Sequence, residues 1–381
     1  MLRTILSFLI VFGFANNYIN AKEPEIPPEV KLLLSEKKDE NISTEEIIRM
    51  LSKGLSTKRI MPVNIQSVDQ DNYLFFERDA PLNRQTVHYG TENTKKIETQ
   101  CNAKRISNGK FSQDVVTLKN VDLMQISKLY QIDRDRYIAI GYDQDLTKSA
   151  THQAVIMLID GKGKMLWKTV VGLEKSYPEA MVKVDNKGYA VVGHDFVWDD
   201  EKKMHGSFQL MISLVEKDGK KLWTKHYSPD GGFAKGRDIE KTVDGGYIAV
   251  GEVSDKAWII KIDSMGKMVW HTFFETPRST ARAYAISDNH QDGYIVAGMS
   301  NVSGLENDKV WIIKVNYSGK IDLIVPVYIE EPFTLQTVSQ INSNEFMLTG
   351  FYPHGLSNNA FFMKIDSKGK KVSEKIIGLN Q

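Results

Sequence analysis

One pattern recurs five times between about residue 124 and the end of the chain, and it constrains the fold more than any other feature. Its first element is an aromatic residue followed four positions later by glycine, with small or apolar residues between: Tyr137 with Gly141, Tyr189 with Gly193, Tyr247 with Gly251, Tyr294 with Gly298, and Phe346 with Gly350. A turn precedes each, as in Asp185-Asn186-Lys187-Gly188 and Asp244-Gly245-Gly246. The second element is an apolar run closing on an acidic or amide residue, with Gly-Lys three positions later. Asp160 precedes Gly163-Lys164 in this way, Glu216 precedes Gly219-Lys220, Asp263 precedes Gly266-Lys267, Asn316 precedes Gly319-Lys320, and Asp366 precedes Gly369-Lys370. Those glycines lie 56, 47, 53 and 50 residues apart. The register survives insertions, so one structural unit is being repeated.

Each unit reads as four short strands. In the fourth copy these are residues 281–287, 294–299, 309–315 and 320–327, with Gly, Asp and Asn at the turns. Runs such as Trp258-Ile259-Ile260, Trp311-Ile312-Ile313 and Phe361-Phe362-Met363 are apolar at consecutive positions. Successive strand residues point to opposite faces, so both faces of such a sheet are covered. A four-stranded sheet buried on both sides and repeated about every fifty residues is a propeller blade packed between neighbours. The turn glycine supplies a positive φ, and the Asp before it can accept hydrogen bonds from turn amides. Four residues after that glycine stand Trp167, Trp223 and Trp270, replaced by Leu323 and Ser373 in the last two copies. Each such ring buries roughly 200 Å² in the wedge between blades.

Residues 61–123 leave room for one further unit. There Asp71-Asn72-Tyr73-Leu74-Phe75-Phe76 reads as a degraded second strand, with residues 86–89 and 115–118 as others. The expected fold is an all-β propeller over 61–381 with six four-stranded blades, seven being the alternative count. The last unit holds its own fourth strand, so the ring is expected to close by packing of the first sheet on the last rather than by strand exchange.

The amino end differs. Residues 1–21 place Arg3 before an apolar run from Ile5 to Phe14 and finish on Ala21, which reads as a secretory signal. The run is about half the ~20 residues that span a bilayer, so a membrane anchor is the weaker reading and no stable span is expected after cleavage. Residues 22–60 read as a helical strap or linker, with Pro27 and Pro28 ahead of Leu32, Leu33 and Leu34, and Ser43 with Glu46 as a capping box. The expected location is periplasmic or secreted. A single cysteine, Cys101, permits no internal disulfide and no Cys-rich metal cluster. With 49 Lys and Arg against 48 Asp and Glu, the chain lacks the broad basic field of a nucleic-acid binder.

The Asp-x-x-Gly-Lys-x-x-x-Trp phrase, following a Gly-Gly-Tyr-Ile-x-x-Gly strand, resembles bacterial secreted propellers built from such repeats. It is also similar to the tryptophan-docking repeats of quinoprotein-like propellers, with Trp167, Trp223 and Trp270 at the docking position. The resemblance covers about two thirds of the chain. It implies the fold rather than an activity, because the matching residues are those that build blades.

Aligning the innermost strands on the aromatic, with two extra residues allowed in the fourth copy, makes Ser127, Glu179, Arg237, Arg282 and Gln336 equivalent. These positions are expected to ring the mouth of the central channel, where Arg237 and Arg282 suit a carboxylate. Residues 194–207 carry His194, Asp195, Trp198, Asp199, Asp200, Glu201 and His205, enough donors for a cation on paper but also an ordinary polar loop. Asp195 and Trp198 are the ligand-facing choices there, and no metal or other cofactor is expected. Residues 288–293 open like a calcium loop, yet the twelfth position is Met299, so they read as a strand turn. Neither a Gly-x-Ser-x-Gly elbow nor a His-Glu-x-x-His motif occurs. The expected function is non-catalytic binding of a protein, peptide or glycan through the loop face and channel mouth. The alternative is a propeller hydrolase or lyase with its site at that mouth, and a redox propeller stands third.

Overall fold

The computed structural model describes residues 58–377, except 68–71, 82–99, 108–109, 120–124, 145–151, 199–205, 230–231, 277–278, 290, 303–308, 328, 330–332 and 355–356. The signal segment and the helical strap through residue 57 therefore lie outside the described residues, as do 86–89. Blade 1 consists of β1 (Lys58–Ser67), β2 (Asn72–Pro81), β3 (Gln100–Ser107) and β4 (Lys110–Lys119). Blade 2 has β5 (Gln125–Asp133), β6 (Arg136–Gln144), β7 (His152–Asp160) and β8 (Met165–Glu174). Blade 3 has β9 (Ser176–Val184), β10 (Gly188–Trp198), β11 (Gly206–Glu216) and β12 (Lys221–Tyr227). In blade 4 come β13 (Ala234–Lys241), β14 (Tyr247–Val253), β15 (Lys256–Ile262) and β16 (Met268–Phe274). Blade 5 holds β17 (Ser279–Asp288), β18 (Gly293–Val302), β19 (Lys309–Asn316) and β20 (Ile321–Val327), and blade 6 holds β21 (Thr334–Asn342), β22 (Glu345–His354), β23 (Ser357–Asp366) and β24 (Lys371–Ile377).

All six sheets are antiparallel meanders in sequence order. The first strands β1, β5, β9, β13, β17 and β21 contact one another in turn, and β21 returns to β1. The count is six, not seven, with a channel at the axis. Among the described residues, no strand is exchanged between the first and last sheets. The ring closes by packing: Ile65 and Phe75 of blade 1 meet Phe351, Ala360, Phe362 and Ile377 of blade 6. β1 begins at Lys58, so residues 58–60, placed in the helical strap from composition, are strand. Their pairing with residues 79–81 of β2 is a tertiary contact that no local period announces.

The core is six wedges rather than one centre. Alternate residues of a single strand feed different wedges. From β14, Tyr247 and Ala249 pack toward blade 3, whereas Ile248 and Val250 pack toward blade 5. From β15, Trp258 and Ile260 go one way and Ile259 the other. This is why consecutive apolar residues are needed: each fully buried side chain contributes about 2–3 kcal/mol, and a one-sided strand would leave one wedge empty.

The repeat signature works as read. Gly266, with φ 78°, turns β15 into β16, and the Asp263 Oδ1 accepts from the amides of Met265 and Lys267 at 2.9 Å each. Asp160, Asn316 and Asp366 do the same. The tryptophans dock on the next blade: the indole Nε1 of Trp167 donates to the Lys217 carbonyl at 3.1 Å, and that of Trp270 to the Tyr317 carbonyl at 3.1 Å. Trp223 packs in the wedge between blades 3 and 4.

Candidate functional site at the channel mouth

Every inner strand carries a β-bulge at the same place. The extra, unpaired residues are Val63, Ser127, Glu179, Arg237, Tyr284 and Gln336. A bulge kinks its strand and re-aims a side chain. In blades 2 to 6 each of these residues is half-buried and follows a buried one, which is how a side chain on the channel wall behaves. The recurring glycine of the second strand exists for this bulge. Gly193 faces Pro178 and Gly251 faces Gly236, and a Cβ on either would overlap the carbonyl oxygen of Tyr177 or Lys235.

The bulges correct the alignment of the inner strands. Glu179, Arg237 and Gln336 are equivalent, but the fourth partner is Tyr284, two residues beyond Arg282. The allowance of two residues was unnecessary, because β17 carries the same single bulge as its neighbours. Arg282 nevertheless joins Arg237 by another route. Glu252, on β14 next to the repeat glycine, accepts from Arg237 Nη2 at 3.0 Å and pairs with Arg282 Nε at 2.5 Å. Its side chain is only 5% exposed, against 40% for Arg282. Arg237 Nη1 also lies 3.9 Å from Glu179 Oε1, and its guanidinium sits 5.2 Å from the Tyr284 ring centroid. One network thus crosses blades 3, 4 and 5.

Electrostatics at this mouth follow from burial. The Glu179 carboxyl is pushed above its ordinary value by loss of water, against the pull of Arg237, Lys128 and Lys235. His194 Nδ1 stands 3.9 Å from Glu179, and burial, with help from Lys235 and Arg237, pushes its imidazole down to about 3. It is neutral at physiological pH. Four cations, Lys128, Lys235, Arg237 and Arg282, therefore act on two carboxylates, Glu179 and Glu252.

The other expected residues sit elsewhere. Asp195 is wholly buried, so it does not face a ligand: its Oδ2 accepts from the Leu173 amide at 3.1 Å and bonds His226 Nε2 at 2.6 Å, fastening the crossing from blade 2 to blade 3. Residues 194–198 and 206–207 are paired strand rather than loop, and 199–205 lie outside the described residues. Among the described residues no group of three His, Cys, Asp or Glu is placed to hold a metal ion. Trp198 is 53% exposed at the end of β10. Gln336 lies on the blade 6 bulge and donates to the Leu335 carbonyl at 3.4 Å. At the expected turn Asn289 Oδ1 accepts from the amides of Gln291, Asp292 and Gly293.

Sequence reasoning missed a string of rings beside the mouth. His152 meets Tyr177 at 4.4 Å between centroids, Tyr177 stacks on His194 at 5.0 Å and 20°, and His194 meets Phe208 at 5.3 Å. Phe208 continues to Phe196 at 5.3 Å, and Phe196 to Trp198 at 4.9 Å. Lys235 lies over Phe208 and Phe233, and Lys175 over Phe196 and Trp198. Lys175 adopts φ 60°, a left-handed conformation rare for a side-chain-bearing residue. One signal could have found Glu252: it directly follows the repeat glycine, as His194 does, and is the one charged residue in the strand Tyr-Ile-Ala-Val-Gly-Glu-Val.

No protein-family model and no curated protein matches this chain. Among solved structures, a protein from Lactobacillus plantarum is similar at 15% identity and a TM-score of 0.50, over 83% of this chain and 85% of its own. A prolyl endopeptidase aligns at 12% identity and a TM-score of 0.43, over 91% of this chain and 46% of its own. A puromycin hydrolase aligns at 10% identity and 0.43, over 84% and 53%. Likeness at such identity concerns the fold. The chain is a six-bladed β-propeller.

Proposed function

We propose that this propeller is a non-catalytic, extracytoplasmic binding module whose channel mouth takes an anionic group of a protein, peptide or glycan. The observation carrying this reading is the shared Glu252: one buried carboxylate holds Arg237 and Arg282 in place, while Lys235 adds a third cation. Preset guanidinium groups on rigid strands are suited to a carboxylate. Chemistry of the serine hydrolase kind has less support. Ser176 is buried and donates to the Leu173 carbonyl at 2.8 Å, and the nearby His226 is turned toward Asp195. An extracytoplasmic location rests on residues 1–21 alone.

The test uses the purified full chain on arrays of acidic peptides and acidic glycans, with Arg282→Gln as comparison. Probes held by the wild type should be lost by the variant and recovered chemically unchanged. Binding indifferent to Arg282→Gln, or cleavage of the retained probes, would refute the reading.

A further inference from the structure

Four aromatic rings run side by side from the end of β10 to the crossing between blades 3 and 4, and both ends of the run are open to solvent. Trp198 meets Phe196 at 4.9 Å between centroids, Phe196 meets Phe208 at 5.3 Å, and Phe208 meets Phe233 at 6.4 Å. Trp198 is 53% exposed and Phe233 37%, whereas the two middle rings are half-buried. Each end carries one ammonium group. Lys175 Nζ lies 5.4 Å from the Phe196 centroid and 5.6 Å from that of Trp198, and Lys235 Nζ lies 5.6 Å from Phe208 and 5.1 Å from Phe233. Elsewhere lysines are neutralised: Lys241, Lys256, Lys261 and Lys314 each pair with a carboxylate at 2.6–2.8 Å. Among the described residues no carboxylate forms an ion pair with Lys175 or Lys235. Lys175 is also held against its own backbone preference. It is the one residue between β8 and β9, its φ is 60°, and its carbonyl accepts from the Phe196 amide at 3.3 Å. Glycine would take that conformation without strain, so an exposed side chain over two rings is what lysine adds there.

We propose that this ridge docks an acidic segment of a partner protein, bound in extended form with a bulky apolar side chain between two carboxylates. This rests on the binding reading above, names its partner class and carries the contact surface outward from the channel mouth. The ammonium groups select an anion, and the rings select what carries it. The steps of 5.4, 5.3 and 5.6 Å from Lys175 through Phe196 and Phe208 to Lys235 keep the two ammonium groups within about 16 Å of each other. An extended chain rises ~3.3 Å per residue and turns alternate side chains to one face, so carboxylates four residues apart, about 13 Å, reach both lysines while the side chain midway meets the rings. Trp and Phe are enriched where proteins bind one another, and covering the exposed indole removes apolar surface from water. A glycan fits less well: the polar groups set against these rings only donate, whereas a sugar hydroxyl both donates and accepts.

Fluorescence anisotropy of the full chain with the labelled peptide Gly-Glu-Leu-Phe-Leu-Glu-Gly tests this, with Gly-Gln-Leu-Phe-Leu-Gln-Gly and Gly-Glu-Gly-Ser-Gly-Glu-Gly as controls. Lys175→Gln and Trp198→Ala serve as variants, with near-ultraviolet circular dichroism confirming that both fold. The acidic peptide should bind the wild type, and each control should bind ~10-fold more weakly. Lys175→Gln should lose ~5-fold in affinity and Trp198→Ala ~10-fold. No binding of the acidic peptide, or an affinity unchanged in either variant, would overturn the proposal; Arg282-dependent binding on the arrays would then leave the channel-mouth reading standing. A galacturonate oligomer or phosphatidylserine vesicles held more tightly than the peptide, and released by Trp198→Ala, would assign the ridge to a glycan or a membrane and overturn it as well.

Discussion

Glu240 gives the sharpest test of how this channel is built. It lies on inner strand β13, where burial, with the nearby charges of Asp238 and Asp288, pushes its carboxyl up to about 7 against the opposing pull of the Lys241 amide and ammonium. Its ordinary value is 4.5. The folded protein therefore holds a proton that the unfolded chain has released, and stability must rise as pH falls from about 8 toward 4.5. Linkage at ~1.4 kcal/mol per pH unit puts the full effect near 3 kcal/mol, and about 2 kcal/mol once residual solvent contact is allowed for. Glu240→Gln removes the charge and keeps the side-chain oxygen that accepts from the Lys241 amide at 2.9 Å. Urea unfolding of both proteins at pH 5, 6.5 and 8 should show the variant about 2 kcal/mol more stable at pH 8, with the gap closing at pH 5. Glu179, also raised by burial, is present in both proteins and largely cancels in the difference. A gap that is constant with pH, or a wild type that gains on the variant as pH rises, would refute the reasoning.

The remaining predictions concern the joints between blades. Glu252→Met leaves Arg237 and Arg282 without their buried carboxylate and should cost about 3 kcal/mol in chemical denaturation; adding Arg282→Met should cost less than the sum of the two single changes. Gly251→Ala drives a Cβ into the Lys235 carbonyl and should cost about 3 kcal/mol. Gly245→Ala, with φ 82° but open space around it, should cost about 1 kcal/mol, so thermal melts should rank the two clearly apart. Trp270→Phe loses the bond to the Tyr317 carbonyl and should cost about 1 kcal/mol, whereas Trp270→Ala should cost about 3 kcal/mol by opening the wedge between blades 4 and 5. Asp238, a buried carboxyl with raised proton affinity, accepts from the Ile286 amide; Asn64 at the equivalent place in blade 1 both accepts from the Leu129 amide and donates to its carbonyl. Asp238→Asn should therefore gain about 1 kcal/mol at pH 7 in urea unfolding, and a loss of similar size would show that the charge is needed by Lys128.

Where each blade's hairpins fall was legible because their causes are local. A positive-φ glycine, an Asp accepting from turn amides and a stretch of consecutive apolar residues act within a dozen positions. Residues 281–287, 294–299, 309–315 and 320–327 accordingly lie within, or one residue from, the strands β17 to β20. Blade 1 was harder. Its Gly109-Lys110 stands between β3 and β4, but Ile106 replaces the acid or amide three positions before the glycine and Gln113 replaces the tryptophan, and β1 is held by pairing to β2 rather than by any pattern of its own.

The chain's own order of residues determined that near-identical sheets, apolar on both faces, would stand around an axis, and that Glu179, Arg237 and Gln336 would take equivalent places on it. Only the tertiary structure decided that Tyr284 rather than Arg282 completes that set, that Asp195 is a fastener, and that Glu252 joins two arginines across blades. The physical reason is range. A turn or a period is set by neighbours in sequence, whereas a bulge's aim and a cross-blade ion pair depend on how one twisted sheet is rotated against the next, which no single repeat encodes.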